Sequence, residues 1–421
     1  MGKARTRKAR VEVHREIFST RPSQRIVVVT EKSSEGVKAP RRRKSALPRS
    51  QNEARADWPH APRAMTGASG APAGGAVVVV DGVDVPASPS AAVPATAAAW
   101  LAEWAPRGVY TATRTTDHHA RLSRWDAHVK RLRLMLSAFR DHDPASFASA
   151  PELPATDEAM RALVAPTVER ALARRRAMTA NVVEGLASSS SASAPRESMV
   201  VVAVSPTARG AWRVGAHACA FDAAAKLPRA TCAVAPGSRR TCPSVKDTSW
   251  PRLRNAIVAA TTRARGVPPF DEILLSDADG DALFEGGVSN VFVVVKEPKK
   301  ENDELSVGSE PSQNSEFFVQ TAPVEECLAG VGRAAVLDAC KVLGVRVVEK
   351  TPRLSENGSL NGQTWCEAFL TNAVRGVRGV REIRFSEDVR VTFASHGTET
   401  SIASRLEAYF DESSTTKADV Q

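Results

Sequence analysis

The chain has 421 residues, a formal net charge of +10, a hydrophobic fraction of 43% and a charged fraction of 25%, ordinary for a folded protein of two or three domains. The charge is uneven: residues 1–64 hold 17 Lys and Arg against 6 Asp and Glu, a net of +11, which leaves the rest of the chain at −1. That distribution argues against a body built to bind nucleic acid, and no apolar run approaches the ~18 residues that span a bilayer.

Residues 1–75 carry no sustained apolar period, include the run Arg41-Arg42-Arg43-Lys44 and end in a Gly/Ala/Pro-rich stretch. Such a composition cannot bury enough apolar surface to offset ordering entropy, so disorder is expected. Three readings stay open for it. It is an Arg-rich targeting segment, a nuclear or nucleic-acid tail, or sequence upstream of the true start, since Met65 immediately precedes the expected onset of order. The expected location is the cytoplasm, or the chloroplast or mitochondrion if residues 1–64 are a genuine targeting segment.

A strand is expected over 76–80, closed by the turn pair Asp81-Gly82. A helix over 96–104 and a strand over 109–115, rich in β-branched residues, follow. The clearest amphipathic helix spans 123–140, where Trp125, Val129, Leu132, Met135, Leu136 and Phe139 recur at three- and four-residue spacing. Ser123 is its expected N-cap, with Asp126 as a capping-box partner. A second helical region covers 157–186, and strands resume at 199–204 and 212–221. Residues 222–229 lack a strand pattern and divide a small N-terminal domain (76–221) from a larger one (230–411).

The larger domain is expected to hold strands at 231–235, 272–276 and 291–295, with a helix over 252–265 between the first two. Residues 296–316 form a charged, Ser-rich insertion expected to be mobile. Beyond it come a strand at 317–320, a helix at 331–343, strands at 345–348, 367–371 and 389–393, and a last helix at 402–410. A disordered tail from 412 closes the chain. Strands and helices mix throughout, which gives an α/β (α+β) fold class. The six cysteines, Cys219, Cys232, Cys242, Cys327, Cys340 and Cys366, show no C-x-x-C spacing and no zinc-like cluster with histidine, the pattern of thiols kept reduced.

Chemistry enters at Leu283-Phe284-Glu285-Gly286-Gly287-Val288-Ser289-Asn290. Glycines beside a carboxylate let a group approach the backbone closely, and an Asn opening an apolar strand needs hydrogen-bond partners. Taken alone, this is a hairpin with a β-turn. Without further context Lys246 is one surface lysine among many, Glu285 caps a turn, and Arg131 joins Lys130 and Arg133 on a solvated helix face.

The stretch resembles the signature of class IV aminotransferases, the pyridoxal-phosphate-dependent family with branched-chain aminotransferases, D-amino acid aminotransferases and aminodeoxychorismate lyases, roughly E-G-x-x-x-N-[VLF]-F after a strand and a D-x-x-G turn. In that register other segments fall into order. Residues 108–114 resemble G-x-[FY]-x-x-x-R, 128–132 resemble H-x-x-R-L, 328–333 resemble L-x-G-[IV]-T-R, and 367–373 resemble E-[VA]-F-[LM]-[ST]-[GN]-[TA]. Lys246 lies about 40 residues before Glu285, as the family's cofactor-bound lysine does. The details are closest to a plant and algal subgroup with K-x-x-x-W and L-L-S-x-x-x-G-D.

The resemblance implies a two-domain D-amino acid aminotransferase-like fold, a homodimer, and pyridoxal 5'-phosphate as cofactor. It implies that Lys246 holds the cofactor and shuttles the substrate proton, and that Glu285 faces the pyridine nitrogen. It places Arg131, the Val331 and Gly332 amides, Asn372 and Ala373 at the phosphate, and Tyr110 in the substrate pocket. Amino acids and 2-oxo acids are the implied substrates, with no metal, nucleic acid or membrane partner. His128 and Asn290 read as packing residues and Arg114 as an ion-pair residue.

Four departures stand out. Ser249 and Trp250 occupy the family's frequent Asn-Tyr positions, and an indole is a donor only, which leaves the usual tuning of the cofactor's phenolic oxygen in doubt. Gly332 replaces the Thr of L-x-G-[IV]-T-R, so one hydroxyl donor is missing. Residues 376–380 replace the family's G-x-x-P-V with an Arg at 378, and the 296–316 insertion exceeds the family's turn. The leading expectation is an amino-acid transaminase. Two alternatives are 4-amino-4-deoxychorismate lyase, which Thr371-Asn372-Ala373 resembles more than the G-T of branched-chain enzymes, and a degenerate cofactor-fold binding protein.

Overall fold

The computed structural model describes residues 75–85, 93–117, 119–186, 197–223, 225–265, 270–297, 317–357, 364–393 and 401–416. The disorder expected of the N-terminal segment and the mobility expected of the insertion lie outside them.

The first half is a six-stranded antiparallel sheet in the order β2-β1-β6-β5-β3-β4, with β1 at Val77–Val80, β2 at Val83–Asp84, β3 at Val109–Thr116, β4 at Arg121–Leu122, β5 at Glu197–Pro206 and β6 at Trp212–Phe221. Period-two alternation decides what each face buries. Val200, Val202 and Val204 of β5 pack under the helices α2 (Trp125–His142) and α3 (Asp157–Leu186). Val201 and Ala203 face the opposite side, against Trp100 and Leu101 of α1 (Ala97–Glu103). A sheet covered on both faces explains why residues 200–204 read as an unbroken apolar run. Gly215 has a packing reason, because a Cβ there would lie 2.8 Å from the Trp100 ring.

The second half is a nine-stranded mixed sheet in the order β12-β11-β10-β13-β14-β7-β8-β9, with β15 paired to β14. Its strands are β7 (Ala230–Ala235), β8 (Glu272–Ser276), β9 (Leu283–Gly286), β10 (Asn290–Lys296), β11 (Phe317–Thr321), β12 (Val347–Glu349), β13 (Thr364–Asn372), β14 (Gly376–Arg384) and β15 (Arg390–Thr392). Val291, Val293 and Val295 of β10 enter one core with Leu274, Leu283 and Ile383. Phe292 and Val294 face α5 (Val331–Val342) and α6 (Ile402–Thr416). Helix α4 (Trp250–Arg265) sits over Ile273 and Leu275 of β8. Among the described residues no helix is long and apolar enough to cross a membrane, and no group of three or more His, Cys, Asp or Glu could hold a metal ion. All six cysteines are free.

Several elements differ from expectation. Ser123 is not the N-cap of α2. Its amide pairs with Arg114 O at 2.9 Å and its carbonyl accepts from Thr113 Oγ1 at 2.8 Å, so it belongs to the hairpin before the helix. Arg124 takes the cap position with φ +50° and no side-chain cap bond. β12 begins later than position 345, because the Val345 amide closes α5 onto Cys340 O at 2.8 Å. α6 continues through Thr416, into the stretch expected as a tail. β14 has nine residues and pairs with both β13 and β7. Glycines at 376 and 379 hid it from propensity, and the sheet context overrides them.

Candidate active site

Lys246 lies in the loop between β7 and α4, where that loop crosses to the first sheet. Its carbonyl accepts from Tyr110 N at 2.9 Å, while Thr248 N donates to Gly108 O at 2.9 Å and Gly108 N to Thr248 Oγ1 at 3.0 Å. The lysine backbone is thus held against the start of β3, and Nζ lies 5.0 Å from the centre of the Tyr110 ring. Burial holds the amine well below the usual lysine range. The Arg131, Arg240 and Arg254 cations push the same way, and Glu285 opposes them. An amine kept toward its neutral form is the requirement for a lysine that attacks a carbonyl or moves a proton. Burial likewise raises the Tyr110 phenol, so it stays neutral.

Glu285 sits on β9 and is 2% exposed. Its Oε1 accepts from Arg240 Nε at 2.8 Å and its Oε2 from Leu328 N at 3.3 Å. Burial raises its carboxyl and the Arg240 guanidinium opposes that rise. Trp250 is buried as well, and its single donor is committed to Gly287 O at 2.7 Å.

Arg131 is buried although Lys130 beside it is exposed, which overturns the solvated-face reading. The register of α2 points it inward, where Nη2 donates to Thr111 Oγ1 at 2.5 Å. Thr111 Oγ1 also lies 2.6 Å from His128 Nδ1. Arg131 can only donate, so Thr111 Oγ1 accepts from it, and the same hydroxyl, with a second lone pair and its own hydrogen, holds the His128 ring in place. Burial, with Arg131 next, holds His128 well below the usual histidine range, so it is neutral and packs. Burial brings the Arg131 guanidinium down to about 10, and its Nε has no partner.

The fourth component is the start of α5. Its N-cap, Gly330, supplies no side-chain cap, so the amides of Val331 and Gly332 have no partner within the helix and face forward with the positive end of its dipole. A Cβ on Gly332 would lie 2.8 Å from the Asn372 carbonyl carbon and 2.9 Å from Thr371 Oγ1. Glycine here brings the helix start against the end of β13, and Thr371 Oγ1 is buried without a partner. Asn372 Oδ1 accepts from Val374 N at 3.0 Å and Arg375 N at 2.8 Å, which shapes the turn containing Ala373. Asn290 is structural, with Nδ2 donating to Leu328 O at 2.9 Å.

Lys246, Tyr110, Arg131 and Glu285 are thus brought into one coupled cluster, and Val331, Gly332, Asn372 and Ala373 into one corner of the fold. Three participants were given no site role by the sequence reading. Arg240 belongs to no motif, and its signal was an Arg pair six and seven residues before the lysine. Thr111 and Thr371 are β-branched strand residues, and nothing in the strand pattern separates them from their neighbours.

Glu272, on the strand beside Glu285, accepts from Ser289 Oγ at 3.1 Å and Ile273 N at 3.1 Å. Burial raises its carboxyl from 4.5 to about 7. An acid held neutral in the fold contributes stability that is complete below pH 4.5 and lost as pH rises through 7, a loss of about 3 kcal/mol. Replacing Glu272 with Gln should remove that dependence. Unfolding free energies from urea titration of wild type and Glu272→Gln should diverge by this amount between pH 4 and 8, wild type losing stability, and parallel curves would refute the assignment.

The family model for amino-transferase class IV matches residues 108–383. A comparison with curated proteins finds no match. Among solved structures, the T.th. branched-chain amino acid aminotransferase complexed with N-(5'-phosphopyridoxyl)-L-glutamate is 17% identical, with a TM-score of 0.52 over 81% of this chain and 94% of that one. The branched-chain aminotransferase of Thermoproteus uzoniensis with norvaline is 19% identical, with a TM-score of 0.50 over 82% of this chain and 96% of that one. At these identities the likeness is one of fold.

Proposed function

The chain belongs to the class IV aminotransferase family, and we propose that it is a pyridoxal-phosphate-dependent transaminase moving an amino group between an amino acid and a 2-oxo acid. The observation that carries this reading is the Lys246 amine, held toward neutrality between the buried Arg131 cation and the Glu285–Arg240 pair. The residues fit a group with an aldehyde, a basic ring nitrogen and a phosphate. Lys246 would take the aldehyde and Glu285 the ring nitrogen. The phosphate would meet Arg131, whose Nε lacks a partner, Thr371 Oγ1, which lacks one too, and the Val331 and Gly332 amides, beside the Asn372–Ala373 turn. Thr371 then supplies a hydroxyl where Gly332 cannot.

Pyridoxal phosphate, when bound, supplies the electron sink that acidifies an amino acid's Cα–H bond. The chain's own residues do the rest. Lys246 Nζ would hold the aldehyde and, when free, would accept and return the substrate's Cα proton, as general base and then general acid. Glu285, as an anion, favours a protonated ring nitrogen. Arg131 and the α5 amides would hold the phosphate end and so fix the position of the group relative to Lys246. Tyr110, neutral and packed on the lysine, walls the pocket. The proposed assembly is a homodimer of two-domain subunits.

A second reading, aminodeoxychorismate lyase, rests on Thr371-Asn372-Ala373. Cofactor-loaded protein should be mixed with a panel of L- and D-amino acids and, separately, with aminodeoxychorismate. Transamination predicts one equivalent of a 2-oxo acid from an amino acid in the absence of any acceptor. The lyase reading predicts pyruvate from aminodeoxychorismate alone, and no product from either would contradict both.

A further inference from the structure

The guanidinium of Arg240 stands at the centre of the site although no motif points to it. Its Nε donates to Glu285 Oε1 at 2.8 Å, with the two side chains 5% and 3% exposed. Its other surface lies against an aromatic face, with Cζ 3.9 Å from the Trp250 ring centre. The indole is itself anchored by Nε1 to Gly287 O at 2.7 Å, two residues beyond Glu285. Trp250, Arg240, Glu285 and Gly287 therefore form a closed loop of contacts across the β7–α4 loop, the first turn of α4 and β9.

We propose that Arg240, clamped between the face of Trp250 and the carboxylate of Glu285, is a positioning residue that fixes both the orientation and the negative charge of Glu285. The inference rests on the reading of Glu285 as partner to the cofactor's ring nitrogen. Among the described residues few groups face Glu285. They are Arg240, the Lys246 amine, the Leu328 amide and the Cys327 thiol. Burial pushes the thiol up to about 12, so it is uncharged. The Lys246 amine is itself held toward its neutral form. Among the described residues Arg240 is thus the lasting counter-charge, and a guanidinium does not give up its proton. Without it, burial alone would drive the carboxyl toward its neutral form, which cannot favour a protonated ring. A planar cation that stacks on an indole while hydrogen-bonding along its edge suits arginine and not lysine. In this account Trp250, standing where the family often carries tyrosine, acts at the ring-nitrogen end through Arg240.

The test titrates Glu285 directly. Cofactor-free protein carrying 13C-labelled glutamate, with the Glu285 resonance assigned by Glu285→Gln, is followed through pH for wild type, Arg240→Gln, Arg240→Lys and Trp250→Leu. Glu285 in wild type should be ionised at neutral pH. Arg240→Gln should raise its midpoint by about one pH unit or more, tenfold in the ionisation constant. Arg240→Lys and Trp250→Leu should raise it by less. With cofactor and amino acid, the acid limb of the kcat profile should shift by the same amount while KM holds. An unchanged Glu285 midpoint in folded Arg240→Gln overturns the proposal. Should that variant not fold, an unchanged midpoint in both Arg240→Lys and Trp250→Leu overturns it. A wild type that never couples cofactor to lysine would sink the functional reading, whereas the titration still decides the role of Arg240.

Discussion

Lys246→Ala should fold and show no absorption band of lysine-bound pyridoxal phosphate. Its turnover should fall at least about 10⁴-fold, the upper range for loss of a positioned acid–base group. The size follows from the double duty of one amine. In this reading it holds the cofactor covalently and then moves the proton, and it sits among the Arg131, Arg240 and Arg254 cations. The sign of the stability effect separates chemistry from misfolding. An amine whose folded state disfavours its charge costs folding free energy at neutral pH, because the unfolded chain keeps it protonated in water. The cofactor-free variant should therefore melt no lower than wild type. A variant that melts lower and loses activity would point to a structural lysine, and one that retains the band would exclude Lys246.

Arg131→Ala should weaken binding of pyridoxal phosphate by about 30- to 5,000-fold, the 2–5 kcal/mol expected when one partner of a buried, hydrogen-bonded charge pair is cut away. Its affinity for pyridoxal, which lacks the phosphate, should change little. Burial brings this guanidinium down to about 10 even though Thr111 accepts from it, so in the cofactor-free protein it is a charge held at a cost and waiting for an anion. Fluorescence titration of both ligands against both proteins gives the comparison. Equal losses for pyridoxal and its phosphate would show that Arg131 shapes the fold and does not hold the phosphate.

How much of this was legible in the chain depends on the physics behind each signal. The unbroken apolar runs of β5 and β10 and the three- and four-residue spacing of α2 set the elements, because burial on both faces or on one stripe writes itself directly into the sequence. Element ends were less legible. Ser123 carries the right side chain for a cap, yet its backbone is taken by the β3–β4 hairpin, a pairing no local pattern announces. β14, with glycines at 376 and 379, exists because β13 and β7 flank it. Lys246, Glu285 and Arg131 were singled out through motif order. Nothing in composition or period separates a buried lysine in a loop from an exposed one, or Arg131 from Lys130. Arg240 needed the fold, since its partner Glu285 lies 45 residues away, and so did Thr371, whose hydroxyl meets the start of α5 only in the folded chain.

The central claim is that Lys246 is the residue to which the cofactor is joined. Borohydride treatment of pyridoxal-phosphate-loaded protein, followed by peptide mass mapping, tests it most directly. A phosphopyridoxyl adduct on the peptide containing Lys246, at one per chain, is the predicted result. An adduct on another lysine, or none at all, would contradict it.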